Sequence, residues 1–333
     1  MAHSRMPGPL GIRSLQPAPP DNLPGPLGLD ADGLYCDSPG PVGSNDWAEF
    51  GANGSLGPRT MAPASGGCAC GRDLSLRELR RIYAHQSRKV CEIFLPFLNS
   101  TFRAYRIGSC LRKAHFLAQV AAESAELQFT REQVSKTVAQ QRYQGYQGRG
   151  LIQLTFENNY RRYGTSVHHD FLADHRSDLE KPEWAADSAG WYWTAGSDQN
   201  LNALADRNDL LAITAHINGG FNGFDARRSH LKVALTVLKV TACPKSKVGA
   251  QAFRPYRDSL CHDSMVQSFA WGAWNDPAAK KHGVSPQLPE ERRAGYARYL
   301  ELRAAAKGKP APQERHYGFT IGEMDQLAGA GAR

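Results

Sequence analysis

Glycine and proline occupy 23 of the first 70 positions. That density decides which part of the chain can form regular structure. Proline lacks the N–H that a helix needs, and glycine loses the most backbone freedom on ordering. The segment also repeats itself. Pro7-Gly8-Pro9-Leu10-Gly11 returns as Pro24-Gly25-Pro26-Leu27-Gly28, more loosely as Pro39-Gly40-Pro41-Val42-Gly43, and in decayed form at Asn53–Pro58. Each copy reads as a tight turn or an extended element. Two readings stay open: a disordered linker, or a tail for docking or export.

Charge divides the chain at the same place. The first 70 residues hold three basic and six acidic side chains, whereas the whole chain is +8, so the remainder carries +11. The basic body favours a polyanionic partner: nucleic acid, anionic lipid or an anionic cell-wall polymer. Its 333 residues allow about two domains and a core that needs no disulfide scaffold. No apolar run approaches the roughly 18 residues of a membrane helix. Met-Ala-His-Ser-Arg-Met-Pro lacks the apolar core of a signal peptide. Membrane insertion and export by the general pathway are therefore not expected.

Beyond Gly71 the apolar spacing is helical. Asp73 is placed to cap a helix carrying Leu76, Leu79 and Ile82. Residues 87–106 follow, interrupted by Pro96, and then 109–125 with Leu111, Phe116, Leu117 and Val120 on the buried side. Residues 184–194, 207–217, 225–239 and 290–307 are further helices, with Tyr296, Tyr299 and Leu300 inward in the last. Period-two alternation is scarce, so the body is mainly α, with one short hairpin near 143–155. The seven cysteines at 36, 68, 70, 91, 110, 243 and 261 include one Cys-x-Cys and no second zinc-spaced pair. They read as reduced or partly paired thiols, with a structural zinc as the less supported alternative. His168-His169-Asp170 is not read as a metal site, and no metal or organic cofactor is expected.

Two carboxylates carry the chemistry. Glu123 ends the apolar run Ala114–Ala122, where desolvation would keep a carboxyl group protonated as a general acid. Glu132 follows nine residues later, with Arg131 beside it to hold it ionised as a general base. A carboxyl pair on opposite walls of a cleft is the apparatus of glycoside hydrolysis. Glu126 is a rival if the helix continues past Glu123, or else a surface residue. Tyr146–Thr155 is punctuated by glycines and runs into Phe156-Glu157-Asn158-Asn159-Tyr160. Ile217-Asn218-Gly219-Gly220-Phe221-Asn222-Gly223, then Arg227, lies further on. These Asn, Gln, Tyr and Arg side chains suit sugar hydroxyls and acetamido groups. Asn218-Gly219-Gly220 reads equally as a helix C-cap.

From about Leu74 to Leu238 the chain resembles the family 19 glycoside hydrolases, chitinases and related phage endolysins with a lysozyme-like α fold. The resemblance is carried by Arg149–Tyr160, Ile217–Arg227 and Gly190-Trp191-Tyr192-Trp193. It implies a mainly α, two-lobed fold with a cleft and at most a short hairpin. It also implies Glu123 as the acid, Glu132 as the base and Thr155 as a hydroxyl that holds the nucleophilic water. Gln153, Asn159, Asn218 and Arg227 become substrate-site residues, with Tyr146 and Arg149 shaping the cleft. Ala122 stands where the family usually has His, and Ala125-Glu126 where Gly-Gly is common.

The expected organisation is a Pro/Gly-rich segment (1–70), a catalytic domain (71–243) and a C-terminal helical extension of open role (244–333). The expected activity is inverting hydrolysis of β-1,4 bonds in peptidoglycan, of muramidase type. An endochitinase and a non-catalytic glycan-binding module are the alternatives. The tail resembles those preceding toxin domains of type VI secretion. A bacterial antibacterial effector acting in a competitor's periplasm would then need an immunity protein and a secretion component as partners. The dispersed basic residues carry no nucleic-acid-binding signature.

Overall fold

The computed structural model describes residues 67–246, 248, 253–306 and 313–332. The Pro-Gly repeats lie outside the described residues. Twelve α-helices are described: α1 (Leu76–Ile82), α2 (Arg88–Ala104), α3 (Cys110–Ser124), α4 (Lys136–Tyr143), α5 (Glu157–Val167), α6 (Pro182–Trp191), α7 (Leu201–Asp206), α8 (Leu210–Asn218), α9 (Phe224–Val237), α10 (Met265–Trp274), α11 (Pro289–Ala305) and α12 (Ile321–Gly331). A two-residue antiparallel ladder joins β1 (Arg315–His316) to β2 (Phe319–Thr320). The mainly α expectation holds. The hairpin near 143–155 reduces to isolated bridges, Arg131 to Arg149 and Arg149 to Leu154.

Local chemistry sets the helix ends. Ser75, not Asp73, caps α1, because Ser75 and Glu78 form a reciprocal capping box. Asp73 pairs with Arg103 of α2 instead. Ser87 and Ser109 cap α2 and α3. After α6 the backbone relaxes into a π-helical turn, Tyr192–Gly196.

The centre of the molecule is α3, in which every residue except Arg112 is buried. The periodicity predicts one buried face, but a helix covered on all sides needs neighbours all round. α9 packs along it, with α7 and α8 also in contact. Phe116 meets Trp193 edge-on at 5.4 Å, and the Trp193 indole donates to Asn202 at 3.0 Å. One hydrophobic core runs from Ala69 to Ala328. The C-terminal helices join it through the segment after α8: Phe221 packs on Trp271 and Trp274, at 5.2 and 6.0 Å. The Trp274 indole donates to Asn222 at 3.1 Å. Tyr296 and Tyr299 are inward, as their spacing predicts, and their hydroxyls donate to Asp276 and Asp325.

His115 is sealed inside α3, bonded through Nε2 to Asn208 Oδ1 at 2.8 Å. Burial lowers its pKa from 6.5 to about 4. The unfolded chain therefore takes up this proton first as pH falls. The stabilisation is complete above about pH 6.5 and is lost toward pH 4, at most about 3 kcal/mol. Urea unfolding between pH 7 and 4.5 should show this slope, and His115→Gln should flatten it. An unchanged slope in that variant would remove His115 as its source.

Candidate active site

Glu123 sits in the last turn of α3 and is fully buried. Arg227, in the first turn of α9, donates to its Oε1 at 2.6 Å and to Gln119 Oε1, one turn earlier on α3, also at 2.6 Å. Arg227 is itself only 1% exposed. The pair is thus a desolvated ion pair, held in register by Gln119. Glu123 Oε2 meets no protein donor. Arg227 is therefore the partner of the carboxylate rather than an open arm for ligand. Sequence reasoning missed Gln119, although its i−4 spacing from Glu123 was legible.

Past Glu123 the helix stops. Ala125, Glu126 and Leu127 all take positive φ (47°, 55° and 74°). Glu126 is turned to His85, whose backbone N–H donates to Oε2 at 3.0 Å and whose Nδ1 lies 3.1 Å from Oε1. The chain returns through Phe129, whose N–H donates to Ser124 O at 2.9 Å. Glu132 then joins a small bridged patch. Its N–H donates to Gly148 O and the Gly150 N–H to Thr130 O, both at 2.8 Å.

Glu132 is 4% exposed. Tyr143 Oη donates to Oε1 at 2.9 Å and the Gly148 N–H to Oε2 at 3.1 Å. Gln147 holds its backbone carbonyl at 3.1 Å. Arg131, expected to stand beside it, reaches toward Glu180 at 4.0 Å. An exposed guanidinium there gains more from Glu180 than from a carboxylate already held by two donors. Tyr143, at the end of a polar helix, carried no sequence signal for this role.

The loop after α4 forms the adjoining wall. Gly150 takes φ of +75°, and a Cβ there would meet Ser188 Oγ at 2.6 Å, so only glycine fits. Gln153 and Phe156 keep positive φ without being glycine (54° and 73°), strain of the kind found at functional sites. Gln153 Nε2 donates to Gly150 O at 3.1 Å, while its buried Oε1 has no partner. Thr155 Oγ1 donates to Gln153 O and Asn159 Nδ2 to Thr155 O, both at 2.8 Å. Gln153, Thr155 and Asn159 line one crevice with Phe156, Tyr192 and Ile217. Tyr192, inside the aromatic motif, was not singled out by sequence. Asn218 follows Ile217 as the last residue of α8, and Gly219 caps that helix at φ +76°.

Tyr146 and Arg149 do structural work nearby. Tyr146 packs edge-on against Tyr160 at 5.3 Å, under the Arg176 guanidinium. Arg149 is buried and donates to Glu180 at 2.8 Å, Tyr160 Oη at 2.8 Å and Gly145 O at 3.1 Å. Against the effect of its burial, Tyr160 and Glu180 raise its pKa. Its donors thus fasten the loop rather than face a ligand. His169 pairs with Asp178 at 3.0 Å. The described residues place Cys68, Cys70, Cys110 and Cys243 together, far from their sequence spacing.

No family model matches the chain. A Haemophilus influenzae protein described as glycosyl hydrolase family 19 domain-containing is 35% identical over 83 residues. The match takes in 25% of this chain and 37% of that protein, so the chain spans little more than a third of its relative's length. Among solved structures, chitinase C from Streptomyces griseus HUT6037 is similar over 58% of this chain and 83% of its own, at 21% identity and a TM-score of 0.43. A bacterial family 19 chitinase is similar over 54% of this chain and 98% of its own, at 18% identity and a TM-score of 0.44.

Proposed function

We propose that this chain is a glycoside hydrolase that cleaves β-1,4 bonds of an amino-sugar polymer, with peptidoglycan as its substrate. The carrying observation is the contrast between two buried carboxylates joined by one short connection. Glu123 has one oxygen fixed by Arg227 and the other without a protein partner. Glu132 is oriented at both oxygens by Tyr143 and Gly148. In this reading Glu123, ionised against Arg227 at rest, takes up a proton from water at Oε2 and hands it to the glycosidic oxygen. Glu132 takes a proton from water on the opposite face of the sugar, and the product is inverted. Thr155 holds that water, and Gln153, Asn159 and Asn218 meet the sugar substituents. Both carboxylates lie below the surface.

Peptidoglycan is preferred over chitin because the body is strongly basic. Arg77, Arg80, Arg81 and Arg88 line one shallow groove on α1 and α2, suited to a carboxylate-bearing wall. Delivery into a competitor's periplasm, with an immunity protein in the producer, rests on the repeats of the tail. Purified sacculi and colloidal chitin, assayed in parallel, test the substrate. Soluble fragments are expected from sacculi, and mass spectrometry of their reducing ends identifies the bond cut. NMR of the nascent anomer should show inversion. Activity on chitin alone would replace the substrate, and retention of configuration would remove the mechanism.

A further inference from the structure

Four cysteines from three separate stretches of chain converge at the far end of α3. Cys68 and Cys70 precede α1, Cys110 is the first residue of α3, and Cys243 lies six residues past the end of α9. Their Sγ atoms all lie within 4.8 Å of one another, with Cys70 and Cys243 at 3.5 Å. Four thiolates bound tetrahedrally to zinc at about 2.3 Å would stand about 3.8 Å apart. The sulfurs therefore lie close to the spacing that one ion would impose. Cys110 and Cys243 are buried, while Cys68 and Cys70 are half-buried, which leaves a way in.

The surroundings suit negative sulfur. The Cys110 N–H donates to Cys70 Sγ at 3.1 Å. Lys113, on the next turn of α3 and 2% exposed, donates to Ala69 O at 2.7 Å and to Arg72 O, carbonyls on either side of Cys70. Arg72 Nε donates to Cys68 O at 3.2 Å. Lys113 thus brings one positive charge beside the cluster, while Arg72, paired with Glu78, holds the backbone of Cys68. The backbone is fastened as well: the Ala69 N–H to Leu238 O at 3.2 Å and the Gly71 N–H to Gly108 O at 2.9 Å. Supporting bonds of this kind orient the ligands of metal sites.

We propose that Cys68, Cys70, Cys110 and Cys243 bind one structural zinc ion. The thiols release their protons to solvent as the ion binds. Four sulfur ligands leave no open position, so the ion holds structure and does no chemistry. α3 and α9 run antiparallel, with the cluster at one end of the pair and Glu123 with Arg227 at the other. The ion would tie both helices to the entering chain and keep carboxylate and guanidinium in register.

The test is the metal content of the untagged full chain, purified under reducing conditions without chelator. About one zinc per chain is expected, released when an organomercurial titrates the thiols. Cys110→Ser and Cys243→Ser should lose it, and Cys91→Ser, outside the cluster, should keep it. Should the serine variants fail to fold, the wild-type chain still decides. Exchanged with cobalt(II), it should show the intense visible bands of a tetrahedral thiolate site. Disulfides among these four cysteines in non-reducing peptide maps, four free thiols that take up no zinc or cobalt, or iron in place of zinc would each overturn the proposal.

Discussion

Glu123→Gln should lower the release of reducing ends from sacculi by about a thousandfold, while sedimentation with the same sacculi persists. The amide keeps the shape of the side chain and can still accept from Arg227, so the pocket stays formed. What is lost is the oxygen that takes up and delivers the proton, Oε2, which meets no protein donor. Glu126→Gln is the matched control. It lies three residues away, but the left-handed run at Ala125–Leu127 carries it off to His85, and its turnover should match wild type. A Glu123→Gln protein that still lyses sacculi at the wild-type rate would leave the proposed mechanism without its acid. A protein that neither lyses nor binds would have lost its shape, and circular dichroism would reveal this.

Arg227→Met should cost about 3–5 kcal/mol of stability, read as a lower urea midpoint at unchanged slope. The reason is asymmetric. Arg227 and Glu123 are both withdrawn from water, and each compensates the other. Methionine fills much of the volume but strands the carboxylate, and Gln119 loses its donor as well. The double variant Glu123→Gln/Arg227→Met should be less destabilised than Arg227→Met alone, because no charge is then left unpaired. If the single substitution costs below about 1 kcal/mol, the range of an exposed pair, the ion pair is not desolvated as described.

Much of this site was legible in one dimension because its parts are local. Glu123 closes an apolar helix, and Gln153, Thr155 and Asn159 sit in one continuous stretch around glycines that permit a tight loop. Such features depend on neighbours within a few residues, and periodicity records them. α4 and α5 escaped the helical reading because their sequences, LysThrValAlaGlnGlnArgTyr and GluAsnAsnTyrArgArgTyrGlyThrSerVal, are polar and carry few apolar repeats. Tertiary contacts hold such helices more than propensity does. Arg131 illustrates the opposite error. Adjacency to Glu132 suggested a pair, yet neighbouring residues on extended backbone point to opposite sides, and the guanidinium turned to Glu180.

Composition and spacing along the chain pointed to the mainly helical body, the change in composition near residue 70, and Glu123, Glu132 and the amide-rich loop as candidates for the site. Each follows from composition, capping or spacing within a single segment. Packing in three dimensions, and nothing in one, spends Arg227 on Glu123, orients Glu132 with Tyr143 and Gly148, and closes the C-terminal tryptophans over the segment after α8. It alone gathered Cys110 and Cys243 beside Cys68 and Cys70. Partners that far apart in sequence, up to more than 100 residues, are chosen by which surfaces exclude water together, and that choice leaves no periodic trace along the chain.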